Sequence, residues 1–357
     1  MSTPRILALL PFLVKGALSL EIFRALRASG TDITVAFCED ASCSYQTDAL
    51  DDFKATGHLL DLSATNDTQR FKLVDNLLGA GGIDLVLQVG AADLYHQLPY
   101  WKERRPELRI ADILYNEFGH TLNHFLYERC IDAVIVESDF MRDFVQRSSG
   151  KPDSRVQVVR SGVDLQEFTP DDQRVAPPAL KVGYVGRMSE EKNPIGFIEL
   201  AEKLGRMNPR LDFAMFGAGG DAVAVKARAA RSELASRLTF HGFIEHSRDA
   251  LRQLDVLILP SKVDGRPVIV MEANACGIPV IAAPVGGIPE LVSEGINGFL
   301  MQPTEAERIH ALISRWQQEP DSLAAQKRAG RAHALEHFDR QRMIEAYAEA
   351  FSRVAAL

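Results

Sequence analysis

Two acids eight positions apart, Asp264 and Glu272, frame the stretch Asp264–Val292, where the chain concentrates its chemistry. Asp264 and Gly265 read as a loop, Arg266 and Pro267 follow with Pro267 placed to open a helix, and Cys276-Gly277 closes that helix before a buried strand, Val280–Ala283. Asp264 then stands ahead of the helix and Glu272 more than a turn inside it. Facing one cleft, the two carboxylates would hold different hydroxyl-bearing parts of one elongated ligand. The following loop, Pro284–Glu290, has paired glycines and then Pro289 at a helix start. Such a backbone can bring amides close to a ligand without obstruction by side chains.

A pair of cations lies upstream. Val182–Val185 reads as a buried strand, Gly186 lets the chain turn, and Arg187 and Lys192 precede a helix that starts near Asn193-Pro194. That helix carries Phe197, Leu200, Ala201 and Leu204 at the spacing of one buried face. Arginine binds phosphate oxygens bidentately and lysine adds a mobile point charge, so two cations between a strand end and a helix start suit a diphosphate. An isolated Arg…Lys pair is more often plain surface charge. The acids downstream reverse that preference.

Together these segments resemble the donor-binding core of the retaining nucleotide-sugar glycosyltransferases of family four, in which an acid, seven residues and a glutamate are followed by a small-residue helix end and a Gly-Gly loop. Asp264 stands where that family usually has glutamate. Ser161–Pro170 is similar to the family's inter-domain segment, with Ser161 in place of asparagine. The resemblance implies an α/β fold of two Rossmann-like, doubly wound domains facing each other across a cleft, the GT-B fold. Residues 1–168 would form the acceptor domain, completed by a helix from 339–357 that crosses back, and 169–338 the donor domain. It further implies that Glu272 takes the ribose hydroxyls, Arg187 and Lys192 the diphosphate, and Asp264 the sugar. Gly186, Gly265, Arg266, Pro267 and Phe243 would line the donor site. The reaction implied is transfer of a sugar to an acceptor hydroxyl with retention, without a metal or other cofactor, in bacterial surface polysaccharide or glycoconjugate synthesis.

Other positions have two readings each. The family's Gly-Gly loop after the first strand corresponds to Pro11–Ala17, which keeps only Gly16. This glycine either offers its amide to the donor phosphate or merely serves a turn, and Lys15 is an alternative phosphate contact. In Leu114–His124, His120 is the choice for a catalytic contact near the donor sugar and His124 the alternative, four residues on and on the same side of a helix. Asn116 and Glu117 are candidates for acceptor hydroxyls. Gly217–Gly220 lacks the full G-x-G-x-x-G register of a dinucleotide fingerprint and reads as cleft wall. Ser261 reads as a loop hydrogen-bonding residue, since no His/Asp arrangement accompanies it.

The elements that must position these residues alternate along the chain. Strand candidates at Arg5–Leu10, Asp32–Phe37, Asp84–Val89, Ile110–Leu114, Ala133–Val136 and Val156–Val159 precede a linker at Asp171–Pro178, and a second alternating series starts at Lys181. Strands alternating with helices imply mostly parallel sheets, with ligands at the carboxyl ends of the strands. A chain of 357 residues suffices for two such domains.

Net charge is −8, of which residues 1–168 carry 17 − 24 = −7. That balance argues against nucleic acid and against strong attraction to anionic membranes. Tyr100–Arg109, basic and aromatic, is a solvated segment or else a weak peripheral membrane or acceptor contact. The four cysteines show no metal-binding spacing, and no apolar run reaches the ~18–20 residues of a membrane span. The expected location is the cytoplasm, with or without peripheral contact to the inner membrane. The expected partners are a nucleotide-sugar donor and a glycan or lipid-linked acceptor. Rival readings are a sugar-nucleotide-binding protein without turnover, a nucleotide-sugar epimerase and a phosphorylase. An NAD-dependent oxidoreductase is the least favoured, its fingerprint being incomplete.

Overall fold

The computed structural model describes residues 3–11, 18–38, 49–171 and 179–357. Two compact units emerge: Met1–Arg160 with Gln341–Leu357, and Ser161–Arg340. The second begins at Ser161, eight residues before the boundary expected at 169, because Val163, Leu165 and Phe168 are buried in its core.

In the first unit seven strands form one parallel sheet: β1 (Ile6–Leu10), β2 (Ile33–Phe37), β3 (Leu59–Asp61), β4 (Leu85–Gln88), β5 (Arg109–Leu114), β6 (Ala133–Val136) and β7 (Val156–Val158). Their order is 3-2-1-4-5-6-7. Every residue of β1, β4 and β6 is buried, as expected of strands covered on both faces, and near-continuous apolar runs supply that burial. The last helix, Arg340–Ala355, packs Met343, Ile344, Tyr347, Ala350, Phe351 and Val354 into this unit's core.

The second unit repeats the pattern with β8 (Leu180–Val185), β9 (Leu211–Phe216), β10 (Leu238–Gly242), β11 (Val256–Leu259), β12 (Val280–Ala282) and β13 (Gly298–Leu300), in the order 10-9-8-11-12-13 and parallel throughout. Strand order reverses direction between β1 and β4 and again between β8 and β11. In open parallel sheets ligands gather at the carboxyl ends of such switch strands. Among the described residues, no helix is long and apolar enough to cross a membrane.

The basic stretch Tyr100–Arg109 is committed within its own unit. Lys102 pairs with Asp132 at 2.7 Å and Arg105 with Asp75 at 2.8 Å, while the Arg104 guanidinium lies over the Tyr100 ring. These pairings favour the solvated reading of that segment.

Candidate functional site

The carboxyl end of β8 carries Gly186 and Arg187, and a short 3-10 turn, Glu190–Lys192, brings Lys192 round before the next helix. Asn193 caps that helix, Pro194–Met207. Its backbone takes the left-handed conformation at φ 55°, its Oδ1 accepts from the Gly196 amide at 3.1 Å, and its Nδ2 donates to the Pro260 carbonyl at 3.0 Å. Helix start and β11 loop are thereby joined. Phe197, Leu200, Ala201 and Leu204 are buried on the helix as their spacing predicts.

Beyond β11 lies Asp264. The Lys192 ammonium donates to its Oδ2 at 2.6 Å, and the Ser261 hydroxyl donates to the same oxygen at 3.1 Å. Motifs 72 residues apart thus meet in one ion pair. Ser261 is a loop hydrogen-bonding residue here, as its surroundings in the sequence suggested. Arg187 is largely exposed and pairs with Glu191 at 3.1 Å. Burial pushes the Glu191 carboxyl upward, but hydrogen bonds from Ser189 and the backbone, with Arg187 and Lys192 nearby, outweigh it and hold the group below its ordinary range. Each cation of the expected diphosphate site therefore has a carboxylate partner.

Gly265, Arg266 and Pro267 are buried between Asp264 and the helix Val268–Ala275. Pro267 is the cap, at ψ 115°, and helical geometry begins one residue later. Glu272 is half-buried on that helix, and burial drives its carboxyl up to about 7, with a Ser247 hydrogen bond opposing and Glu167 adding to the rise. Phe243 follows β10 with its ring half exposed. All these positions lie at the carboxyl ends of β8, β10 and β11 or on the helix that follows β11, one edge of one sheet.

The loop after β12 has a narrower role than its paired glycines suggest. The Gly287 amide donates to the Asp264 carbonyl at 3.2 Å, and Gly286, at φ 54°, lies so close that a Cβ there would sit 1.8 Å from the same carbonyl oxygen. This loop braces Asp264 from behind. A similar contact fixes the loop after β9, where a Cβ on Gly217 (φ 140°) would lie 1.8 Å from the Gly186 carbonyl, and the Met188 amide donates to Ala218 at 2.8 Å. Gly217–Gly220 is thus packed against the arginine-bearing loop.

In the first unit, His120 precedes the helix Thr121–Leu126 and donates through Nε2 to the Ile113 carbonyl at 2.9 Å. A carbonyl only accepts, so Nδ1 carries no proton in the neutral ring. His124 is fully buried, with Nδ1 3.1 Å from Oδ2 of Asp112, an oxygen that also accepts from the Tyr95 hydroxyl at 2.7 Å. Asp112 and Tyr95 were not legible in the sequence, since their partners lie 12 and 17 residues away. Asn116 turns inward on its own loop, accepting from the Phe118 amide at 2.9 Å, and Glu117 follows it, half exposed. Gly16, with Lys15 and Ala17, lies outside the described residues. Among the described residues no group of three or more His, Cys, Asp or Glu side chains is arranged to hold a metal ion.

Residues 166–333, within the second unit, match the family model described as Glycosyl transferases group 1. A curated relative, the D-inositol 3-phosphate glycosyltransferase of Mycobacterium sp. (strain JLS), is 32% identical over 219 residues, 57% of this chain and 48% of that protein. The amylovoran biosynthesis glycosyltransferase AmsK of Erwinia amylovora is 26% identical over 214 residues, 58% of this chain and 53% of its own. The chain thus spans about half the length of these relatives. Among solved structures, Anabaena Alr3699/HepE in complex with UDP is similar with a TM-score of 0.78 at 19% identity, covering 98% of this chain and 99% of that one. The structural likeness shows the fold: two Rossmann-like domains of the GT-B type.

Proposed function

Because residues 166–333 form a domain of the glycosyl transferases group 1 family, we propose that the protein moves a sugar from a nucleoside-diphosphate sugar to an acceptor hydroxyl with retention at the anomeric carbon. The observation that carries this reading is the meeting of Lys192 with Asp264 at the β8/β11 switch point, beside Arg187. The bond from the anomeric carbon to the diphosphate oxygen breaks, and negative charge gathers on the departing diphosphate. Arg187 and Lys192 stabilise that charge more than they stabilise the bound donor, which lowers the barrier. A leaving phosphate oxygen takes the proton of the acceptor hydroxyl as the new glycosidic bond forms on the same face. Glu272 accepts from the ribose hydroxyls, Asp264 orients the sugar, and His120 is the proposed catalytic histidine. In this reading the two cations carry the role a divalent metal has elsewhere. The likeness to AmsK supports surface polysaccharide or glycoconjugate assembly as the setting.

The test is a thermal-shift panel of UDP-, GDP- and ADP-sugars followed by determination of the product's anomeric configuration. One donor class should raise the unfolding temperature by mass action, and the product should keep the donor's configuration. Absence of stabilisation by every nucleoside diphosphate, or an inverted product, would contradict the proposal.

A further inference from the structure

At the opposite, amino-terminal end of the second sheet's strands lies a cavity of about 560 Å³, bordered by Asp255 just before β11 and by Gly277 and Ile278 before β12. Its walls carry four cations, Arg252, Lys327, Arg328 and Arg331, against two acids, Asp171 and Asp255. Asp255 is buried, accepts from the Lys181 amide at 2.9 Å, and lies 3.8 Å from the Lys327 ammonium. Arg331 is held by three neutral carbonyls, donating to Phe168 at 2.7 Å, Ala275 at 2.8 Å and Leu165 at 3.0 Å. It meets no carboxylate within ion-pair distance among the described residues, so its half-buried positive charge is fixed in place without a counter-ion. Arg328, one turn earlier on the same helix, is exposed and has no partner among the described residues.

Between the cations the wall is apolar, with Ile278, Ala324 and Leu335 facing the same space. The volume is that of a small-molecule site. A preorganised guanidinium with unspent charge beside a mobile one suits a phosphate, which accepts charge-assisted hydrogen bonds from both. The apolar portion suits a compact organic body attached to it. We infer that this cavity is a second anion site, separate from the donor motif, which takes a phosphate monoester with a small apolar body.

The inference is tested by calorimetric titration of the full chain with phenyl phosphate and with inorganic phosphate. Phenyl phosphate should bind with one-to-one stoichiometry and several-fold more tightly than inorganic phosphate. Arg328→Glu, at an exposed position that leaves the fold intact, should weaken it by roughly tenfold or more, as loss of a charged hydrogen-bond partner does. Lys192→Ala, at the donor motif, should leave this affinity unchanged. Absence of saturable binding, equal affinity for the two probes, binding that survives Arg328→Glu, or binding lost in Lys192→Ala would each overturn the inference.

Discussion

The Lys192 ammonium lies 2.6 Å from the Asp264 carboxylate, with little of either side chain exposed. In the proposed function a donor diphosphate competes with Asp264 for this cation. Lys192→Ala is expected to lower turnover by roughly 10²-fold or more, the usual cost of a lost preorganised charge partner. Asp264→Asn releases Lys192, so affinity for the free nucleoside diphosphate should hold or rise while kcat falls. The double variant should cost less than the sum of the singles, since the two groups act as one unit. Equal weakening of nucleoside diphosphate binding by both single variants in calorimetry would contradict separate roles.

Glu272 gives a pH dependence of definite sign. Its carboxyl titrates near 7 in the folded protein, above its ordinary value. Its contribution to stability is thus fully present below the ordinary carboxylate range and is lost as pH rises through about 7. In the proposed role ribose hydroxyls donate to the ionised form, so nucleoside diphosphate binding should release a proton near neutrality and strengthen as pH rises through about 7. Calorimetry at pH 6.5 in buffers of different ionisation enthalpy measures that proton. In Glu272→Gln the proton release should vanish and donor KM should rise.

Gly286→Ala tests the brace behind Asp264. The added Cβ would meet the Asp264 carbonyl at 1.8 Å in a backbone conformation that other residues rarely adopt. Strain of about 1–3 kcal/mol is expected, relieved by displacement of the loop that carries Asp264. Donor affinity should fall together with the unfolding temperature. Unchanged kinetics would show that Asp264 keeps its position without this loop.

The two histidines should separate by assay. His124→Ala removes a buried partner of Asp112 and should lower stability by about 1–3 kcal/mol in denaturant unfolding. His120→Ala loses one part-buried hydrogen bond to a backbone carbonyl, so its stability cost should be smaller and its main effect a lower kcat. The reverse pattern would transfer the sugar contact from His120 to another group.

Turnover should survive chelation. In the proposed mechanism Arg187 and Lys192 supply positive charge at the diphosphate, so enzyme treated with EDTA is expected to keep its activity. Full loss, restored by Mn²⁺ or Mg²⁺, would count against the assignment of the two cations.

The sequence made the long buried strands legible because apolar runs such as Val182–Val185 have few other uses, and the Asn193-Pro194 helix start carried its own capping chemistry. β3 and β13 escaped it. Both are three-residue edge strands that are only partly buried, too short to stand out from the surrounding sequence. Candidate cations and acids were readable by type and spacing, whereas their pairing was not. The Lys192–Asp264 contact depends on β8 and β11 lying side by side, which is a property of sheet order. The Gly286–Gly287 loop was readable as a close approach of backbone, but not what it approaches.

The helix Arg340–Ala355 also sets the order in which the protein can be built. Six of its side chains belong to the core of the first unit, yet they are made after the whole of the second. Val163 donates to the Phe338 carbonyl at 2.8 Å and accepts from the Arg340 amide at 3.2 Å, so the two chain crossings are laced together inside the second unit. Domains of a nascent chain ordinarily mature from the amino terminus onward. Here the second unit, continuous in sequence, can finish while the first still waits for its last helix. A chain cut before residue 341 would thus keep the whole second unit beside a first unit whose core is incomplete.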